Sequence, residues 1–466
     1  MRAMKKTFQR SMMVGALLAA AACGGGGGGP SSSEDVATTA GGEAITTVGG
    51  VVVTVTAHNH WKAGIEAFER HEKDGWSAQA CSDTRDIFEK ALKAQRGKFV
   101  EAEYMIGLTY ERCGDRSKAK SIYEKVIEAH PKMCSPRVAL GLIKEEVEGD
   151  EKGALAFYQE AIRQNPNCPA AYVNIARHQA KGNADEVYEA VLNLRRALAF
   201  RSDYLPAFNE LALIHFKRGK SRDQRSELDL AEIVLRQAQL IDESYAPIYN
   251  TWGLVKLERG DLLAALQFFE QARKLDPNIF EAQMNFGQIT LSFRGYRDAR
   301  EAFAQAVKLR PDDYDAVVGL GAALRGLEQY DEAEKQYKRA IELDSDRPDA
   351  YFNMAILLHE YLSAQADSQE RTVERLKEAD RWYDTFVEKA KNNRAYAANV
   401  DDVTRRCNLD RKKRRGSTEC QMGRKQVIEE FITALREAEE MQREMEEMER
   451  MMREQEAAAE AEASEG

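Results

Sequence analysis

Histidine, tryptophan and proline are scarce in this chain of 466 residues, which holds 7 His, 4 Trp and 10 Pro. No two cysteines are close-spaced and no His lies near two of them, so a zinc site has little to be built from. His58 and His60 stand two apart before Trp61, which alone is a weak metal signal. There is no phosphate loop, no G-x-S-x-G elbow and no H-E-x-x-H pair. The residues therefore ask for no cofactor, no metal and no catalytic role. Basic charge is not in excess either. The formal net charge is −10, against the strong positive balance of a nucleic-acid binder. The most apolar stretch near the start, Met12 to Ala22, falls short of the ~20 residues that span a bilayer.

What is present begins with a processing signal. Arg2, Lys5, Lys6 and Arg10 precede that apolar run, and Ala20, Ala21 and Ala22 precede Cys23. This resembles a bacterial lipoprotein signal, in which cleavage leaves a lipid-bearing Cys23 at the new N-terminus. It departs from the usual pattern at Ala20, where Leu is common. The alternative is an ordinary secretory signal cleaved after Ala22. Gly24 to Gly29, Pro30 and Ser31 to Ser33 follow, and the low-complexity stretch runs on to about Gly50. With little apolar surface to bury it reads as a tether, and some ~30 coil residues reach about 30 Å. Gly24, rather than Asp, after the lipidated position implies sorting to the outer membrane, facing the periplasm.

The body carries a repeat. Three segments align without gaps at a spacing of 34, starting at Trp252, Phe286 and Leu320. Gly253, Gly287 and Gly321 coincide, as do Ala265, Ala299 and Ala333. Phe269, Phe303 and Tyr337 coincide, and so do Ala272, Ala306 and Ala340. Each unit reads as two short amphipathic helices, A and B. The small residues admit close approach, and the aromatic fills the gap between units. Pro277 and Pro311 end helix B. One such pair cannot bury its own apolar face, so units must stack. This is the tetratricopeptide (TPR) pattern. Its phase extends outward to about nine units between His60 and Asn392, with an insertion near Lys220 to Glu227 and a polar insert at Ser363 to Arg375. The fold class expected is all-α, a TPR helical-hairpin solenoid.

Six cysteines remain beyond Cys23, an even number for an exported chain. The repeat phase puts Cys81 at the start of a helix B and Cys113 at the end of the next helix A. Cys134 precedes a helix A and Cys168 follows that unit's helix B. Cys407 and Cys420 flank a basic loop. The pairing expected is 81–113, 134–168 and 407–420, with buried free thiols as the alternative.

Helix A lines the inner curve of a TPR array. Asn174, Asn285 and Asn353 share one phase there, with Asn209 and Asn250 one residue earlier. An amide both donates and accepts, so it suits a peptide backbone of any sequence. These five form a candidate peptide-binding groove. The competing reading is that Asn serves helix packing.

The end of the chain differs. Arg405 to Arg415 holds seven basic residues and one Asp. Arg411 to Arg415 could meet an anionic surface, or could be a solvated loop. From Arg424 a long helix is expected. Val427, Phe431, Ala434, Ala438, Met441, Met445, Met448 and Met452 are spaced alternately by four and three, a heptad seam. Its methionines suit an adaptable partner-helix contact. Docking of the part from Val427 to Leu435 on the solenoid's own end is expected alongside. From Gln421 to Gly466 there are 14 acidic and 6 basic residues.

The chain thus divides into a signal peptide (1–22), a lipidated and flexible tether (23–57), the solenoid (58–392), a basic Cys-flanked loop (393–420) and an acidic Met-seamed helix (421–466). This layout resembles the TPR lipoproteins of the myxobacterial adventurous gliding-motility machinery (the GltE or AglT type). The resemblance implies an outer-membrane, periplasm-facing scaffold that binds other envelope proteins in a trans-envelope complex. Pilots of secretins and adaptors of peptidoglycan hydrolases are the alternatives.

Overall fold

A computed structural model of the protein describes residues 36–405 and 422–465, apart from positions 40, 41, 43 and 48, with side chains as far as Ala457. The signal peptide, Cys23, Arg411–Arg415 and the Cys407–Cys420 pair lie outside the described residues.

The described part is a TPR-like helical solenoid, all-α, with nine consecutive helix pairs. The first six are α1 (Val55–Asp74) with α2 (Ala78–Ala94), α3 (Val100–Arg112) with α4 (Arg116–Ala129), α5 (Ser135–Glu146) with α6 (Glu151–Gln164), α7 (Pro169–Gln179) with α8 (Ala184–Phe200), α9 (Leu205–Gly219) with α10 (Ser226–Ile241), and α11 (Ala246–Glu258) with α12 (Leu262–Leu275). Then come α13 (Phe280–Ser292) with α14 (Tyr296–Leu309), α15 (Tyr314–Gly326) with α16 (Tyr330–Leu343), and α17 (Asp349–Ile356) with α18 (Gln369–Ala390). A short α19 (Ala397–Thr404) and a 42-residue α20 (Arg424–Glu465) close the chain. The chain forms two compact units, Met1–Gln283 and Met284–Gly466.

The turns inside the hairpins follow from two residues. Gly114, Gly149 and Gly260 take positive φ and stop helix A. The next residue, Asp115, Asp150 or Asp261, then caps helix B by accepting a backbone N–H from Lys118, Gly153 or Ala264.

In six of the nine hairpins the core is a ring set into a glycine. A Cβ added to Gly141 would lie 2.4 Å from the Tyr158 ring, and one on Gly253 2.5 Å from the Phe269 ring. Tyr158 and Phe269 are fully buried. The aromatic was expected between units, yet it packs first against helix A of its own hairpin. Phe303 does both, lying against Gly287 of its own hairpin and Gly319 of the next.

Three boundaries differ from the sequence reading. Residues 36–57 are not a flexible tether throughout. Val36 pairs with Thr54, Thr38 with Ala44 and Thr46 with Val52 in isolated bridges. Ala37 and Val53 enter the core around Trp61 and Phe99, and Gln95 donates to Val52 O at 2.6 Å and accepts from Thr54 N at 3.1 Å. The polar insert at Ser363 to Arg375 is half helix, since α18 starts at Gln369 behind the Ser368 cap. The stretch 393–405 is no loop: α19 buries Val403 in the core beside Leu376 and Ile428.

Replacing Phe269 by Ala should empty the ring site between α11 and α12. The expected loss is about 3–5 kcal/mol, read from denaturant unfolding. A loss near zero would show that the ring-in-glycine contact is not what joins the hairpin.

Candidate protein-binding surfaces

Cys81, near the start of α2, is bonded to Cys113 at the end of α3, with Cα atoms 6.0 Å apart. Cys134 and Cys168, at the starts of α5 and α7, are bonded likewise. Each bond ties one hairpin to the next.

The inner face of the first unit is filled by its own side chains. Asn174, Asn209 and Asn250 are buried, Asn209 completely. The Asn209 carbonyl accepts from the Thr251 hydroxyl on α11 at 2.7 Å. Asn174 accepts from Arg177 at 2.9 Å, and Arg177 donates to Glu210 on α9 at 2.7 Å. Asn209 thus joins α9 to α11 directly and Asn174 meets α9 through Arg177, so these buried amides do not present an open ladder. In the second unit Asn285 and Asn353 are half-buried. Asn353 donates to Asp349 O at 2.9 Å and accepts from Arg325 at 3.2 Å.

Two buried guanidiniums organise this inner face. Burial alone would lower Arg112, but Glu72 and Glu111 outweigh it and hold the group above its ordinary value. Arg112 donates to Glu72 at 2.8 Å, and Tyr123 donates to Glu111 at 2.8 Å. Arg177 is likewise pulled down by burial and raised further by Glu210. Burial pushes up the hydroxyls of Tyr104, Tyr204 and Tyr245, so these groups stay neutral. The curl of the unit also brings distant loops together. Asn278, after α12, donates to the Glu72 carbonyl at the end of α1, 2.8 Å away and 206 positions apart. The sequence reading missed this set, because no local periodicity contains it.

Near this inner face Glu145, Glu151 and His178 bring three possible ligand atoms within 4.8 Å of one another. Lys181 shares the spot, 3.8 Å from Glu145 and 3.3 Å from Glu151, so the carboxylates already have a cation.

The last helix docks by one face and leaves another open. Lys425 lies 2.9 Å from Asp380 and 2.6 Å from Asp384 on α18. Arg424 pairs with Asp402 at 2.6 Å and with Glu360, which sits in a π-helical turn (Leu357–Leu362) that continues α17. Ile428 is buried, Ile432 packs on the same core, and Gln369 donates to Leu435 O. The docked stripe is thus Ile428, Ile432 and Leu435. Val427 and Phe431, 37% and 48% exposed, lie on the other side with Met441, Met445, Met448 and Met452, each more than half exposed. The segment from Val427 to Leu435 docks, but not through the seam; the seam is solvent-facing from end to end. The missed signal was a second four-three spacing, one residue on from the first. No helix among the described residues is long and apolar enough to cross a membrane.

Comparison with known proteins agrees with the repeat. Tetratricopeptide-repeat family models match residues 286–348 and residues 101–132. No curated protein matches. Among solved structures, the chain is similar to one in the APC/C hetero-tetramer Cut9–Hcn1, with a TM-score of 0.48, 15% identity and coverage of 64% of this chain and 55% of that one. A TPR protein of Thermus thermophilus gives a TM-score of 0.36 and 26% identity over 41% of this chain and 99% of its own. Yeast Tom70 gives 0.44 and 14% over 74% and 67%. The chain spans little more than half the length of the first.

Two outcomes test this face. Replacing Cys81 and Cys113 together by Ala opens a loop of 32 residues. It should cost about 2–4 kcal/mol in guanidinium unfolding, and an unchanged midpoint would count against a stabilising bond. The carboxyl of Asp276, beside the Asn278 contact, is raised by burial, with Glu72 adding and the Asn278 amide opposing. The folded state therefore binds its proton more readily than the unfolded chain, so this residue's contribution to stability improves as pH falls from neutral through the raised value. Asp276→Asn should stabilise the chain at pH 7 and flatten that pH dependence. A less stable variant at pH 7 would contradict it.

Proposed function

We propose that this protein is a lipid-anchored scaffold on the periplasmic face of the outer membrane, joining partner proteins of a trans-envelope machine of the gliding-motility kind. A TPR solenoid is typically a non-catalytic scaffold for protein–protein contacts. The observation that carries the finer reading is the pair of disulfides, Cys81–Cys113 and Cys134–Cys168. Such bonds persist in oxidising compartments and not in a reducing cytosol. They support export, as the basic and apolar run ahead of Cys23 does. Cys23 followed by Gly24 to Gly29 supports a lipid on a flexible lead. The layout of solenoid, basic segment and acidic Met-rich helix supports the motility resemblance over a secretin pilot, which should be a shorter array without such a tail.

Two measurements test it. Cells grown with labelled palmitate should label the wild-type chain and not Cys23→Ser; an unlabelled wild type would refute the anchor. Crosslinked envelopes should yield motility-complex proteins with the chain. Recovery of a secretin or of peptidoglycan hydrolases alone would overturn the motility assignment.

A further inference from the structure

We propose that the exposed seam of α20, from Val427 to Met452, is the docking surface for a basic amphipathic helix of a partner protein. This rests on the scaffold reading above and names the partner's chemistry.

The seam is unpartnered along its length. Beyond Leu435 no described side chain of α20 is buried, and a 30-residue extension at 1.5 Å per residue projects about 45 Å. Its apolar residues recur alternately every four and three positions, which places them on one stripe that a second helix can cover. A stripe of adaptable methionines accommodates a partner helix without demanding one fixed shape.

The flanks select the partner. Glu430, Glu437 and Glu444 line one side at intervals of seven, and Glu449 and Glu456 stand on the other. Three of the four nearby guanidiniums are already engaged: Arg443 with Glu439, Arg450 with Glu447 and Glu454, and Arg453 with Glu449. Glu437 and Glu444 are exposed and carry no ion pair among the described residues. Between Arg436 and Glu456 there are nine carboxylates and four guanidiniums.

A second copy of the chain fits badly. A parallel pair would set Glu444 of one helix against Glu449 of the other, and an antiparallel pair would set like rows of glutamates against each other. Like charges at these positions oppose pairing. An anionic lipid surface is repelled by the same flanks. A helix with an apolar seam flanked by Lys or Arg meets both demands, since it covers the stripe and neutralises the unpaired carboxylates.

The test uses the purified full-length chain and two synthetic four-heptad helices. Both carry the same Leu/Ile seam, one flanked by Lys and the other by Glu. In calorimetric titration at low salt the Lys-flanked helix should bind at least about tenfold more tightly, and added salt should weaken it. Glu437→Lys with Glu444→Lys should reverse the preference. Met441→Gln, Met445→Gln, Met448→Gln and Met452→Gln together, which keep helix propensity, should abolish binding of both. Equal binding of the two helices, or binding of neither, would overturn the proposal. So would a chain that sediments as a dimer and becomes monomeric in the Gln variant. If the peptides fail while crosslinked envelopes still yield motility proteins, only the seam assignment falls. If no partner is recovered from envelopes, the scaffold reading falls with it.

Discussion

The contact on which this structure depends is an aromatic ring lying where a glycine has no side chain. A helical hairpin of this length has one face to bury and only a partner helix to bury it on. Glycine brings helix A close enough for the ring on helix B to fill the seam without a void. The pairing is a matter of summed volume. In the fourth and fifth hairpins the ring gives way to Leu194 and Leu235, and alanines, Ala176 and Ala212, share their clusters. A smaller side chain on helix B meets a larger one on helix A, and the space stays filled. Because each hairpin is closed in this way, its remaining apolar surface is free to stack on the next.

Stacking then determines what the inner face can do. Asparagine on helix A could serve a bound peptide or the neighbouring helix, and burial decides between them in the first unit. The carbonyl oxygens of Asn209 and Asn174 already accept from Thr251 and Arg177, and burial closes both amides off from a ligand. The same holds for Arg112 and Arg177. Taking Glu72 or Glu210 away would weaken the compensation of a buried cation, which costs more than the intact pair. The inner face of this unit is therefore a structural polar core. Opening it to a ligand would require breaking the Glu72, Glu210 and Asn278 contacts together.

The legible and illegible parts divide by range. A 34-residue phase is visible because each glycine, alanine and ring recurs within one hairpin, so local pattern and tertiary contact coincide. Cys81 and Cys113 could be matched for the same reason, since stacking makes equivalent helix ends neighbours. Residues 36–54 were misread as part of the low-complexity lead, although their Val, Ala and Ile are as numerous as their Gly and Thr. Their Val51–Val53 stretch has the extended-chain preference of β-branched residues, and Ala37 and Val53 bury it on the first hairpin. The inner polar face was illegible for a different reason. Asn278 meets Glu72 only because the helices from α2 to α12 curl between them, and no pattern of spacing encodes that curl.

The last helix shows how one heptad rhythm can serve two surfaces. Ile428, Ile432 and Leu435 repeat the spacing of Val427, Phe431 and Ala434 one residue later, which on a helix is a rotation of about 100°. The first stripe stops at Leu435, where contact with the solenoid stops. The second continues to Met452. The two do not compete, because occupying one leaves the other facing solvent. Docking through the first stripe, with the Arg424 and Lys425 ion pairs, anchors the root of the helix. An anchored root reduces the orientations lost when anything binds the second stripe, so less of the contact energy is consumed in ordering the site. A free tail with the same residues would have to lose that freedom on binding, and the solenoid's end removes much of it beforehand.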